Sequence, residues 1–117
     1  MPHVVLNGNV NLDDIFNTFK GVFIRNENGI LKTDNIYISR DKTGIIIESL
    51  AIEEGVKNSF FALISRRNDG VVVRIHPGFE VEKTSGVKNI LSEIAKQLLT
   101  VFPQLTIGET NLSEYLK

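Results

Sequence analysis

The chain has 117 residues, 42% of them hydrophobic and 23% charged, with a formal net charge of −1 at pH 7. This is the make-up of one soluble globular domain spanning the whole chain, with room for one core and no second module. Near-neutral charge offers no footprint for nucleic acid or an anionic membrane, and no apolar run approaches the ~20 residues of a membrane span, so the expected setting is cytoplasmic with neither partner.

The chain has no cysteine and only two histidines, His3 and His76, far apart in sequence. A disulfide framework, a zinc–thiolate site and a thiol nucleophile are therefore excluded. The histidines make no metal-ligand spacing, and there is no glycine-rich phosphate loop, so neither a metal nor a cofactor is expected.

The chain opens Met1-Pro2-His3-Val4-Val5-Leu6, a short apolar strand signal headed by proline. With the initiator Met removed, Pro2 would present a ring-held secondary amine at the start of a strand. An α-amino group titrates near pH ~8 in the open. Burial or a neighbouring cation lowers that value and makes a general base poised close to working pH. The plain alternative is that Pro2 simply follows Met1.

After the turn cluster Asn7-Gly8-Asn9, the spacing of Leu12, Ile15, Phe16 and Phe19 predicts a helix, with Asn11 as N-cap and Asp13 and Asp14 in its first turn. Either Gly21 ends it or it runs on through Val22 and Phe23. From Ile30 to Pro77 the pattern turns strand-like, with β-branched and aromatic runs at 36–38, 45–52, 60–64 and 71–75. Turn signals at 41–44, Glu54-Gly55 and 68–70 make antiparallel hairpins the natural pairing.

Thr84 or Ser85 then precedes Val87, Ile90, Leu91, Ile94 and Leu98, an amphipathic helix closed by Pro103. A last strand at 105–107 leads into a tail whose Leu112, Tyr115 and Leu116 could pack on a neighbouring subunit.

This order places a strand–helix–strand unit at each end. The expected fold is α+β: two β-α-β units with hairpin strands between them, in a mixed sheet whose right-handed crossovers put both helices on one face. The other face, left apolar by Ile46, Val72 and their neighbours, would need a partner subunit.

Met1-Pro2-His3 before a strand, and Val72-Val73-Arg74-Ile75 leading through Gly78 and Ser85 into the second helix, resemble the tautomerase superfamily. The likeness is to its longer-subunit branch with 5-carboxymethyl-2-hydroxymuconate isomerase, and to the 4-oxalocrotonate tautomerase group. The resemblance implies a tautomerase-like fold, a small homo-oligomer that is a trimer, and a cofactor-independent isomerase. Pro2 would move a proton α to the carbonyl of a small enol, keto or unsaturated acid.

The enolate so formed needs a cation, and arginine also matches a substrate carboxylate bidentately. Arg40, near where family members carry such a residue, is the candidate, with solvated Arg beside the Asp41 turn as the alternative. Arg74 could serve from another subunit, or pair with a Glu across strands. Arg66 and Arg67 adjoin a turn and face solvent. His3 should face away from Pro2. Phe60 and Phe61 could wall a pocket or belong to the core. The loop at 7–10 carries no Arg, unlike short tautomerases.

Two non-catalytic readings stand beside the enzyme. One is an oligomerising domain in which Pro2 is incidental; the other is a small-ligand-binding α+β protein with its pocket between helices and sheet.

Overall fold

Strands of alternating inward and outward side chains build one seven-stranded sheet, and the computed structural model, which describes residues 1–117, orders them β2-β3-β4-β5-β6-β1-β7. In chain order the elements are β1 (His3–Asn7), α1 (Leu12–Thr18), β2 (Phe23–Asn26), β3 (Gly29–Ile38), β4 (Gly44–Glu53), β5 (Val56–Arg67), β6 (Gly70–Ile75), α2 (Ser85–Val101) and β7 (Thr106–Thr110), with a 3-10 turn at Ser113–Leu116.

Every neighbouring pair is antiparallel. This corrects the expectation of two β-α-β units in a mixed sheet. Short turns fold β2 through β6 into a meander; at the β4–β5 turn, Glu54 and Gly55 both take positive φ (51° and 83°), as the right-handed twist of a hairpin favours. β1 then returns to lie beside β6, and β7 covers its outer side. The strands flanking α1 sit on opposite sides of the sheet, and those flanking α2 are separated by β1. Neither helix joins adjacent parallel strands, so the tautomerase-like architecture is absent.

Both helices pack on one face. α2 buries Val87, Ile90, Leu91, Ile94 and Leu98, each at most 1% exposed, against Val4 and Leu6 of β1, Ile45 and Ile47 of β4, Ile64 of β5 and Val73 of β6. Full burial of each such side chain contributes about 1.5–3 kcal/mol. α1 adds Leu12 and Ile15 and ends at Thr18, short of both boundaries the sequence offered, with Asn11 capping as expected by accepting from the Asp13 N–H. The chain past α1 is held by Gln97 of α2, whose amide accepts from Lys20 N and donates to Gly21 O.

The N-terminus of α2 is pinned to the end of β4: the Glu53 carboxylate accepts from the Thr84 hydroxyl at 2.6 Å and the Gly86 N–H at 2.9 Å. After β7, Leu112 is 2% exposed, and Tyr115 and Leu116 pack on the same core, so the tail packs on its own subunit. No helix is long and apolar enough to cross a membrane.

Candidate functional site

Strand alternation assigns each predicted site residue to a face. Val4 and Leu6 enter the core, so Pro2 falls on the helix side, where it is buried, while His3 faces the other way. The Met1 carbonyl is held by Asn111 Nδ2 at 2.7 Å and His3 Nδ1 at 3.0 Å. Met1 itself is 61% exposed and lines a cleft of about 740 Å³ with Pro77, Phe79, Glu80, Glu82 and Lys83. Its charged lining has two acids against one base, a poor match to a carboxylate substrate.

Arg40 is exposed in the β3–β4 turn. That turn lies three to four strands from β1, roughly 15–20 Å at ~4.8 Å per strand. It also sits at the sheet end where β1 finishes, since Gly44 aligns with Ser65, Ser65 with Val72, and Val72 with Val5. Arg74 lies on β6 opposite His3, between the core residues Val73 and Ile75, and so faces away from the helices. The structure therefore does not bring Pro2, Arg40 and Arg74 together. Nor do three or more His, Asp or Glu side chains gather where a metal ion could be held.

What the fold does assemble is the sheet face without helices. One row across it reads Tyr37, Ile46, Leu63, Arg74, His3, in register on five successive strands. Flanking rows add Glu48 beside Phe61, Leu50 beside Ser59, and Val72 beside Val5. Ile46, Leu50, Phe61, Leu63 and Val72 are all half-buried, with no helix over them; from outside the sheet, Phe79 of the β6–α2 loop touches Phe61. Of the Phe60-Phe61 pair, Phe60 is core at 4% exposed and Phe61 belongs to this open face.

A polar cluster interrupts the apolar surface. Between Thr33 and Ile36 a bulge sets Asp34 and Asn35 opposite the single residue Glu48. Glu48 Oε2 accepts from the Tyr37 hydroxyl at 2.5 Å and from Asn35 Nδ2 at 3.1 Å. That hydrogen bond, then some loss of solvent, then repulsion from the same carboxylate hold the Tyr37 phenol above its ordinary 10.0.

Beside Glu48 is a cleft of about 280 Å³ whose walls include Asp34, Leu50, Phe61 and Phe79. The Phe61 and Phe79 rings lie 5.0 Å apart, and His76 sets its ring edge-on to Phe79 at 5.6 Å. Across β5, the Arg74 Nε is buried with no hydrogen-bond partner.

Glu48, Tyr37, Leu63 and Phe79 were not singled out by the sequence. One signal was present: Glu48 is the only charged residue between Gly44 and Ile52. An acid inside so apolar a strand marks a face that is not core.

Fold and face together define a one-sided, helix-backed antiparallel sheet with an uncovered amphipathic surface. No family model, no curated protein and no solved structure matches the chain.

Proposed function

We propose that this chain is a non-catalytic homo-oligomerising domain that assembles through the sheet face its helices leave open. One observation carries the reading: the 23-residue hydrophobic core cluster lies on the helix side, while Ile46, Leu50, Phe61, Leu63 and Val72 form a contiguous patch over three adjacent strands on the other. A contiguous apolar patch on an otherwise polar surface marks an interaction site. The centre of the layer between helices and sheet is filled by Ile45, Ile47, Ile64, Ile90 and Ile94, all fully buried, which supports the open face over an internal ligand pocket. The test is sedimentation analysis of wild type against Leu63→Asp. An oligomer in the first and a folded monomer in the second is expected; a wild type that is monomeric at its highest soluble concentration overturns the reading.

A second reading keeps Pro2 as the base of a tautomerase acting on a small carboxylate or carbonyl compound. Exposed Met1, which lines the larger cleft, favours it, since removing Met1 would make the neighbouring Pro2 the N-terminus. With Met1 retained, that nitrogen is an amide with no basic lone pair. Intact mass of the mature protein, followed by enol turnover, tests this reading.

A further inference from the structure

We infer that the partner on the open face is a second copy of this chain, docked about a two-fold axis so that Arg74 of each copy enters the cleft beside Glu48 of the other. The inference rests on the oligomerising reading and names its contact.

Two unsatisfied groups on the face are complementary. Arg74 Nε is buried in the lone chain and donates to nothing there, a cost relieved when the guanidinium swings out from its own sheet to an acceptor on a partner. Glu48 receives both of its hydrogen bonds at Oε2, leaving Oε1 without one. Neither residue enters an ion pair within the chain. Glu48 aligns with Phe61 and Arg74 with Leu63, so the two sit two strands and two residues apart. At ~4.8 Å per strand and ~3.3 Å per residue their Cα atoms are roughly 12 Å apart.

The cleft suits a guanidinium. At about 280 Å³ it falls below the ~300–1,000 Å³ of small-molecule pockets, and so fits a side chain better than a free ligand. Its lining includes the rings of Phe61 and Phe79, on which arginine can stack, and the Glu48 carboxylate. Asp34, also on the rim, is partly neutralised by Lys32 at 3.4 Å, which leaves Glu48 the dominant charge.

Symmetry makes the pairing self-complementary. In an isologous interface, if residue i meets j then j meets i. An axis in the interface plane, above β5 between Phe61 and Leu63, exchanges the Arg74 and Glu48 positions. It forms the contact twice and sets Leu63 near its own image. A net charge of −1 per chain opposes this very little.

The face spans five strands from β3 to β1 and about six residues along them, roughly 24 Å by 20 Å. Two copies together then cover about 1,000 Å², the lower bound for a specific interface. The predicted dimer is therefore concentration-dependent rather than obligate.

The test is a charge exchange read by sedimentation equilibrium on the full chain. Arg74→Glu and Glu48→Arg should each weaken dimerisation by about a hundredfold or more, and the double variant should restore it. Glu48→Gln keeps the acceptor for Tyr37 and Asn35 while removing the charge, and should weaken dimerisation about tenfold or more, which guards against misfolding of the Arg variant. Single variants as dimeric as wild type, a double variant that stays monomeric, or a stoichiometry other than two overturns the inference. If Leu63→Asp still dissociates the protein in that event, the face associates by other contacts and the proposed function stands. If Leu63→Asp has no effect either, both fail.

Discussion

The seat of α2 on β4 yields a prediction whose sign depends on one carboxylate. Glu53 accepts two hydrogen bonds, from the Thr84 hydroxyl and the Gly86 N–H. Bonds to a charged acceptor are worth about 1.5–3 kcal/mol each, and a charge at a helix N-terminus adds about 0.3–1 kcal/mol. The site is half-buried, so water recovers part of this in Glu53→Ala, for a net loss of about 2–3 kcal/mol.

With ~2.1 cal/mol/K of unfolding entropy per residue over 117 residues, that loss lowers Tm by about 10 °C. A Cβ on Gly86 would lie 2.5–2.9 Å from three atoms of the Glu53 carboxylate. Gly86→Ala should therefore push the carboxylate off its two donors and destabilise the wild type by up to that loss, although alanine is the better helix former by up to ~1 kcal/mol. In the Glu53→Ala background the obstacle is gone, and the same substitution should be neutral or stabilising. Urea denaturation of the four proteins in this double-mutant cycle measures the coupling, expected at about 2 kcal/mol or more. If Gly86→Ala shifts stability equally in both backgrounds, Glu53 is not seated where the helix begins.

The β3–β4 turn predicts a pH dependence. The Thr43 hydroxyl, then the Ser39 hydroxyl, then the Thr43 backbone N–H hold the Asp41 carboxyl below its ordinary 3.8. A carboxyl depressed in the folded state contributes stability that is fully present above its unfolded value and lost as pH falls through the folded one. The advantage of wild type over Asp41→Asn should thus be constant from neutral pH down to the unfolded value, shrink between the two and vanish below the folded one; an advantage unchanged in strong acid refutes the assignment. On the catalytic reading, Pro2→Ala should cut turnover of an enol substrate by ~10²–10⁴-fold, and unchanged turnover removes Pro2 from the chemistry.

Local signals in the sequence matched what local physics determines. The spacing of Val87, Ile90, Leu91, Ile94 and Leu98 set the buried face of α2, and the turn residues at 41–44, 54–55 and 68–70 marked three of the hairpins. The β2–β3 hairpin was missed although Asn26 accepts from the N–H groups of both Asn28 and Gly29, an Asx turn written in the sequence. The phase of two adjacent phenylalanines, 60 and 61, carries no face by itself, because both neighbours in the strand are compatible with burial.

The largest departure from the sequence expectation is the place of β1. Strand–helix–strand order suggests parallel neighbours, but partner choice is non-local. β1 fits between β6 and β7 because Val4 and Leu6 continue the buried stripe of Val71, Val73 and Ile75 under α2. That placement also turned Arg74 and His3 to the open face, away from Pro2. The candidate site was legible only as an expectation that one sheet face, with Ile46 and Val72, needs covering. Its polar centre at Glu48 depends on the β3 bulge, which the sequence does not announce.

The most direct measurement is the sedimentation mass of wild-type protein across a dilution series. A two-fold dimer through the open face gives a species of twice the 13.1 kDa chain mass that dissociates on dilution. A single species at 13.1 kDa throughout would contradict the claim that the open face is the working surface of this domain.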